Sequence, residues 1–294
     1  MFRYALVDDR VVLREEAVVP AFDRGYLLGE GVFETMRVER GVPLWADDHA
    51  DRLRHACRAI GVRGDAFTAQ RIVDAVAALV EAEADVDPGI GARPLGARIT
   101  VTARGASEAE VVTEPRMTAF LRDLPLHAGE PVDVVEASFR RDARNPVSAI
   151  KATSYLENQL ALAAAQAQGA DEAVFLDLDG GLTEGTRTNV FFVRHGRLET
   201  PPLEAGLLGG ILRGRVLRLA ERLQIPHAER KISVSDVASS GEGFLTNALR
   251  GIVPIRRFGS VTLPEAPGAI TRSLGDAFER AVAEYLRHAI AARP

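Results

Sequence analysis

Asn145-Pro-Val-Ser-Ala-Ile-Lys-Ala-Thr-Ser-Tyr-Leu-Glu-Asn158 sets a single lysine between a turn and a helix. Asn-Pro opens the stretch as a turn, and Thr153 or Ser154 can act as N-cap of a helix expected over about residues 153–168. A strand is expected upstream at residues 132–137, so Lys151 stands at a strand-to-helix junction, a rigid place from which a side chain can enter a cleft. Of 36 basic residues only Lys151 and Lys231 are lysines. Arginine replaces lysine wherever charge alone is needed, but a guanidinium cannot form an imine. Each surviving amine is therefore a candidate for covalent chemistry. The plain alternative is a solvated surface lysine, and Lys231 in Glu229-Arg-Lys-Ile-Ser-Val, ahead of an expected strand, is read that way.

Outward from this stretch, strand and helix signals interleave. Alternating residues predict strands at 4–7, 11–14, 32–38 and 97–103. Helical periodicity appears at 49–60, with Leu53, Ala56, Cys57 and Ile60 on one face, and at 69–84, with Ile72, Val76 and Leu79. Residues 84–96 read as a loop. Two prolines and a glycine make 123–131 a linker, which divides the chain into domains at 1–122 and 132–294. In the second, strands are expected at 172–177, 182–184, 189–193 and 243–246, with helices at 209–223 and 270–290. The interleaving predicts a mixed α/β (α+β) fold.

Composition narrows the function classes. The 294 residues are 47% hydrophobic and 26% charged, enough for a sizeable core. The net charge of -5 gives no basic footprint for nucleic acid. No run approaches the roughly 18 apolar residues of a membrane helix, and acids near the start replace the apolar run of a signal peptide. With Cys57 the single cysteine, no intrachain disulfide can form, and a cytoplasmic location is expected. The six histidines fall at no metal-ligand spacing. Asp47 and Asp48 are helix N-terminal carboxylates with no chemistry assigned.

Three further pieces carry chemistry. Leu182-Thr-Glu-Gly-Thr-Arg-Thr-Asn189 places Glu184 between a turn and an apolar strand, where burial needs a partner. A protonated pyridine nitrogen would be one; capping of nearby Thr or Asn amides is the alternative. Leu208-Gly-Gly-Ile-Leu-Arg213 opens an amphipathic helix with two glycines, whose amides can meet a phosphate. Arg52, near the start of a helix, can add a charge-assisted clamp or remain an exposed helix arginine.

Taken in order, these pieces resemble the class IV aminotransferase family of pyridoxal 5'-phosphate (PLP) enzymes. The likeness runs through Asp23-Arg-Gly-Tyr-Leu-Leu-Gly-Glu-Gly-Val-Phe-Glu-Thr-Met-Arg37, His49-Ala-Asp-Arg-Leu53, Lys151-Ala-Thr-Ser-Tyr-Leu-Glu-Asn158 and Glu184-Gly-Thr-Arg-Thr-Asn-Val-Phe191, and on through Thr200-Pro-Pro-Leu-Glu-Ala-Gly-Leu-Leu-Gly-Gly-Ile-Leu-Arg213. The resemblance implies a two-domain fold type IV enzyme of the D-amino acid aminotransferase kind, usually a homodimer acting on a small amino substrate. It implies Lys151 as the Schiff-base lysine and Glu184 as partner of the pyridine nitrogen. It places Arg52, Gly210 and the amides of Ile211 and Leu212 at the phosphate, with Tyr155 near the ring hydroxyl. Thr188, Asn189, Asn247 and Ala248 join the expected cofactor site. Leu212 and Ala248 stand where many relatives carry threonine, so backbone donors must serve there.

Within the family, Phe244-Leu-Thr-Asn-Ala-Leu-Arg-Gly-Ile-Val-Pro254 resembles the aminodeoxychorismate lyase group. The stretch after Thr102-Ala-Arg-Gly105 reads Ala106-Ser-Glu-Ala-Glu110, without the Arg-x-His pair of D-amino acid transaminases. Arg104 and Arg250 are candidate clamps for a dicarboxylate, and salt bridging at strand ends is their alternative use. Phe33, with Phe22 and Tyr26, is a candidate pocket residue. The expected activity is release of 4-aminobenzoate and pyruvate from 4-amino-4-deoxychorismate. The alternatives are transamination of branched-chain or D-amino acids and, more remotely, a catalytically silent dimeric member.

Overall fold

Gly31–Glu39 forms a long strand of the first sheet, with buried and part-buried residues alternating from Glu34 onward because successive strand residues point to opposite faces. The computed structural model describes residues 2–105, 114–124 and 129–292. In chain order its first elements are β1 (Tyr4–Val7), β2 (Arg10–Leu13), α1 (Arg24–Leu28), β3 (Gly31–Glu39), β4 (Val42–Pro43), α2 (Ala46–Ala59), α3 (Ala69–Ala84), β5 (Leu95–Ala103) and β6 (Pro115–Arg122). The strands form an antiparallel sheet of order β2-β1-β6-β5-β3-β4. Val32, Met36 and Val38 pack with Leu53 and Cys57 of α2 and Ile72, Val76 and Leu79 of α3 in one apolar core. Each such side chain contributes on the order of 1.5–3 kcal/mol by leaving water. Burial pushes the Cys57 thiol up to about 12, so it is an inert core residue.

The remaining elements are β7 (Val132–Arg141), α4 (Leu156–Ala167), β8 (Glu172–Asp177), β9 (Leu182–Gly185), β10 (Asn189–Arg194), β11 (Arg197–Thr200), α5 (Ile211–Arg222), β12 (His227–Glu229), α6 (Val234–Ala238), β13 (Glu242–Asn247), β14 (Gly251–Phe258), β15 (Val261–Thr262) and α7 (Ala269–Ala291). Their sheet runs β12-β11-β10-β13-β14-β7-β8-β9, with β15 on β14. It is mixed: β7 is parallel to both neighbours, β8 and β14. β8, β10 and β13 each bury five of six residues, as strands covered on both faces do. Phe191 and Phe244 stack between β10 and β13 with ring centroids 4.9 Å apart.

The chain divides into two units, residues 1–124 with 150–154 and 282–294, and residues 125–149 with 155–281. The boundary at 124/125 lies in the stretch read as a linker, of which residues 125–128 fall outside the described residues. The segment carrying Lys151 was expected in the second domain but belongs with the first unit. The cause is a backbone ladder: Phe33 N–H donates to Lys151 O (2.9 Å) and Thr153 N–H donates to Gly31 O (2.8 Å). The end of α7 also belongs with the first unit, where Tyr285 packs on Trp45.

Other expectations need correction. The helix after Lys151 begins at Leu156 with Tyr155 as its N-cap, not Thr153 or Ser154. Thr153 cannot cap because its backbone is in the ladder and its hydroxyl donates to Gly29 O (3.2 Å). Lys231 precedes α6 instead of a strand; it is half-exposed and meets Asp177 and Asp179, each at 3.3 Å. Strands β4, β6, β11, β12, β14 and β15 and the short helices α1 and α6 were not anticipated. Among the described residues no helix is long and apolar enough to cross a membrane.

Phe244→Ala is expected to cost about 3–5 kcal/mol, because a fully buried stacked ring is replaced by a cavity. Urea titration should show a lower midpoint with an unchanged slope. A loss below about 1 kcal/mol would contradict the packing described.

Candidate active site

The first unit presents its lysine against an aromatic ring. The Lys151 Nζ stands over the Phe33 ring at 4.4 Å from the centroid, and the Arg98 guanidinium over the same ring at 3.6 Å. A cation over a ring face is held by the ring's quadrupole. Lys151 is thus fixed at both ends, its backbone by the ladder with β3 and its amine by the ring.

On the next residue of β3 the chain turns to different chemistry. Glu34 is buried at 1% exposure and accepts from Arg52 Nε and Nη2, each at 2.7 Å. His49 Nδ1 lies 2.6 Å from Glu34 Oε2 and is equally buried. α2 supplies both partners because positions 49 and 52 are three apart on one helix face. Burial alone would push the Glu34 carboxyl up; Arg52 and then His49 overcome it and hold it at about 2. Burial pushes the His49 imidazole down, against the pull of Glu34. The neutral ring therefore donates from Nδ1.

In the second unit Glu184 is also buried and paired. Arg141 Nη1 donates to Glu184 Oε1 at 2.6 Å, and its Nη2 donates to Asn158 Oδ1 at 3.0 Å. The Arg141 guanidinium lies over Phe175, 3.7 Å from the centroid. The Leu208 amide donates to Glu184 Oε2 at 3.1 Å. Asn189 Nδ2 bonds Leu208 O at 2.9 Å, tying the loop before α5 to β10. A Cβ on Gly210 would fall 1.9 Å from Asn189 Oδ1, so glycine is required at this approach. Gly210 is the N-cap of α5 with no side-chain capping bond, and the first-turn amides of a helix lack partners within it. That makes the Gly210-Ile211-Leu212 terminus a fitting anion cradle. Tyr155 donates its hydroxyl to Thr186 O (2.7 Å), and burial, with Glu184 and Glu172 nearby, raises its phenol well above the usual range.

Other anticipated residues have local uses. Thr188 Oγ1 donates to Glu172 Oε2 at 3.2 Å. Asn247 Oδ1 accepts from the Leu249 and Arg250 amides at 2.8 and 2.9 Å, closing the turn that contains Ala248. Arg104 is half-exposed and bonds Asp8 at 2.6 Å, the strand-end salt bridge that was its alternative reading. Arg250 is half-buried, and its Nε has no hydrogen-bond partner among the described residues. Phe22 and Tyr26 are exposed, so neither is a core residue. The stretch 106–110, read as lacking the Arg-x-His pair, lies outside the described residues.

Four residues escaped sequence reasoning: Glu34, Arg98, Arg141 and Asn158. Arg98 lies in the alternating strand with Thr100 and Thr102, and that shared face was the available signal. Glu34 alternates into a face of valines and methionine, where a carboxylate demands a partner. Arg141 and Asn158 carry no local signal, since their partners, Glu184 and the Thr186 carbonyl oxygen, lie far along the chain.

Acid is expected to destabilise the fold in two steps. His49 is held below its ordinary 6.5, so from that pH downward the unfolded chain gains a proton that the folded chain resists. Glu34 is held at about 2 against 4.5, so its contribution is complete above 4.5 and is lost as pH falls toward 2. Thermal midpoints of wild type and His49→Asn between pH 4 and 8 should test this. The variant should lose the upper step, and parallel profiles would refute the assignment.

Residues 31–258 match the family described as amino-transferase class IV. A putative branched-chain-amino-acid aminotransferase of Methanocaldococcus jannaschii is 31% identical over 282 residues, 93% of this chain and 94% of that protein. The aminodeoxychorismate lyase of Bacillus subtilis is 26% identical over 275 residues, 91% of each. The solved branched-chain amino acid aminotransferase of Thermobaculum terrenum in its PLP form is 29% identical with a TM-score of 0.83, over 97% of this chain and 94% of that one. Each unit holds groups of the kind that cofactor uses, an amine over an aromatic ring in the first and a buried carboxylate and a glycine-led helix terminus in the second. The chain belongs to the class IV aminotransferases and is a PLP-dependent enzyme.

Proposed function

We propose that the enzyme is a lyase that converts 4-amino-4-deoxychorismate to 4-aminobenzoate and pyruvate, working as a cytoplasmic homodimer in folate synthesis. The observation that carries this reading is the turn from Asn247 to Gly251. Its asparagine consumes two of the turn's own amides, Ala248 offers no hydroxyl, and Arg250 brings a half-buried cation. Burial pushes the Arg250 guanidinium's pKa down, against the pull of Asp171 and Glu172. A substrate carboxylate would pair with that cation. The cation on Phe33, Arg98, is a second candidate partner for a dicarboxylate.

The roles of this chain's residues follow from their settings. Lys151 holds the cofactor through its amine and, once released by the substrate's own amine, takes the proton from the carbon that bears that amine. Glu184, kept in place by Arg141, holds the pyridine nitrogen. Arg52 and the amides of Ile211 and Leu212 hold the phosphate, with Thr188, Asn189 and the 247–248 turn shaping the surroundings. When bound, PLP supplies an electron sink for the charge left on that carbon. The ring C–O bond to the enolpyruvyl group breaks, the departing enolate takes up one proton at its methylene carbon to become pyruvate, and aromatisation of the ring drives the step.

A second reading is transamination of branched-chain amino acids, favoured by the archaeal relative's being the more similar of the two. Purified enzyme given 4-amino-4-deoxychorismate is expected to release pyruvate and 4-aminobenzoate. It should be silent with a panel of L- and D-amino acids plus 2-oxo acids. The reverse pattern would overturn the lyase reading. Borohydride reduction should place the pyridoxyl mass on Lys151, and a mass elsewhere would remove the basis of both readings. Exposed Leu156 and Leu160, four apart on α4, support assembly with a second copy. Light scattering should return twice the chain mass.

A further inference from the structure

We infer that Glu34 is a positioning residue that presents Arg52 to the cofactor's phosphate; this rests on the phosphate role proposed above for Arg52. Three observations carry it. Glu34 is 1% exposed within the apolar face of β3, a place where a carboxylate is costly unless it is paired. Its two oxygens accept the Nε and Nη2 of Arg52, each at 2.7 Å, a side-on fork that fixes the plane of the guanidinium. His49 closes the arrangement from the same helix at 2.6 Å, on the oxygen that also accepts Nη2.

The fork has a directional consequence. A guanidinium bound through its Nε–Nη2 edge turns its end-on edge, Nη1 with Nη2, away from the carboxylate. That edge has the geometry to meet a phosphate with two parallel N–H donors. Two effects of Glu34 oppose each other: its charge partly neutralises Arg52, and its fork removes the arginine's rotational freedom. Orientation wins for a physical reason. The Arg52 side chain is 17% exposed, and a guanidinium so far out of water is costly unless an anion is paired with it. Without Glu34 the paired hold on Nε and Nη2 is lost, and the plane of the guanidinium is no longer set by it. His49, neutral and donating, keeps the carboxylate from rotating out of the plane of the fork.

The test compares two aldehydes on the apoenzyme of the full chain, PLP and its unphosphorylated form pyridoxal, by the absorbance that appears when each is bound. Glu34→Gln keeps the shape and removes the charge. It is expected to lower the preference for PLP over pyridoxal by roughly tenfold or more, the scale of one charge-assisted hydrogen bond. Pyridoxal binding itself should stay within about twofold. Glu34→Asp, which keeps the charge but draws it back by one methylene, should lie between, and it serves if the glutamine variant does not fold. Arg52→Lys is the control. If Arg52→Lys lowers the preference and both Glu34 variants leave it intact, the positioning role is overturned while the phosphate role of Arg52 stands. If Arg52→Lys also leaves it intact, the phosphate role itself fails and the inference falls with it. Equal losses for both aldehydes in the Glu34 variants would show a merely structural carboxylate and overturn the inference.

Discussion

A carboxylate cannot be buried alone, and at Glu34 and Glu184 this enzyme meets that constraint with an arginine. In the first unit, Glu34 is clasped by Arg52 and steadied by His49. In the second, Glu184 is clasped by Arg141, which is itself held by Asn158 and lies on Phe175. Replacing either member of such a pair would strand a desolvated charge, at a cost well above that of a surface ion pair. The same pairs set the chemistry. A carboxylate already fixed in orientation costs little to reorganise when a cofactor arrives, and that is the condition for electrostatic preorganisation.

The lysine is fixed by different means. Its backbone continues the first sheet through bonds to Gly31 and Phe33, and its amine rests on the Phe33 ring. One strand, β3, therefore sets the backbone of Lys151, supplies the ring under its amine through Phe33, and holds Arg52 through Glu34. Alternation separates the last two functions: the odd residue faces the lysine and the even one faces α2. A one-residue slip in the register of β3 with β5 would exchange those faces. The eight paired positions between these strands guard against it.

In the second unit two loops are held by contacts of their own. The glycine-led start of α5 requires glycine at 210 for its approach to Asn189. The 247–251 turn is closed by its own asparagine and carries Arg250. Residues in such turns can vary without disturbing the paired carboxylates, because the turn's hydrogen bonds are local.

Much of this was legible in sequence. The rarity of lysine singled out Lys151, the setting of Glu184 called for a partner, and periodicity placed β1, β8 and α3 at the bounds observed. Strand β6 was legible and missed: Met117, Ala119 and Leu121 alternate into the core behind an opening proline. β14 was obscured by Pro254, which argues against a central strand. The structure accommodates it because the ladder with β7 begins only at Ile255. What sequence determined was what each segment could do alone, since hydrophobic period, turn residues and amine chemistry are local properties. Only the tertiary structure decided which unit receives Lys151, and which arginine answers which carboxylate. Those outcomes depend on contacts between strands and helices far apart in the chain, such as Arg141 with Glu184 across 43 positions, and no local pattern encodes them.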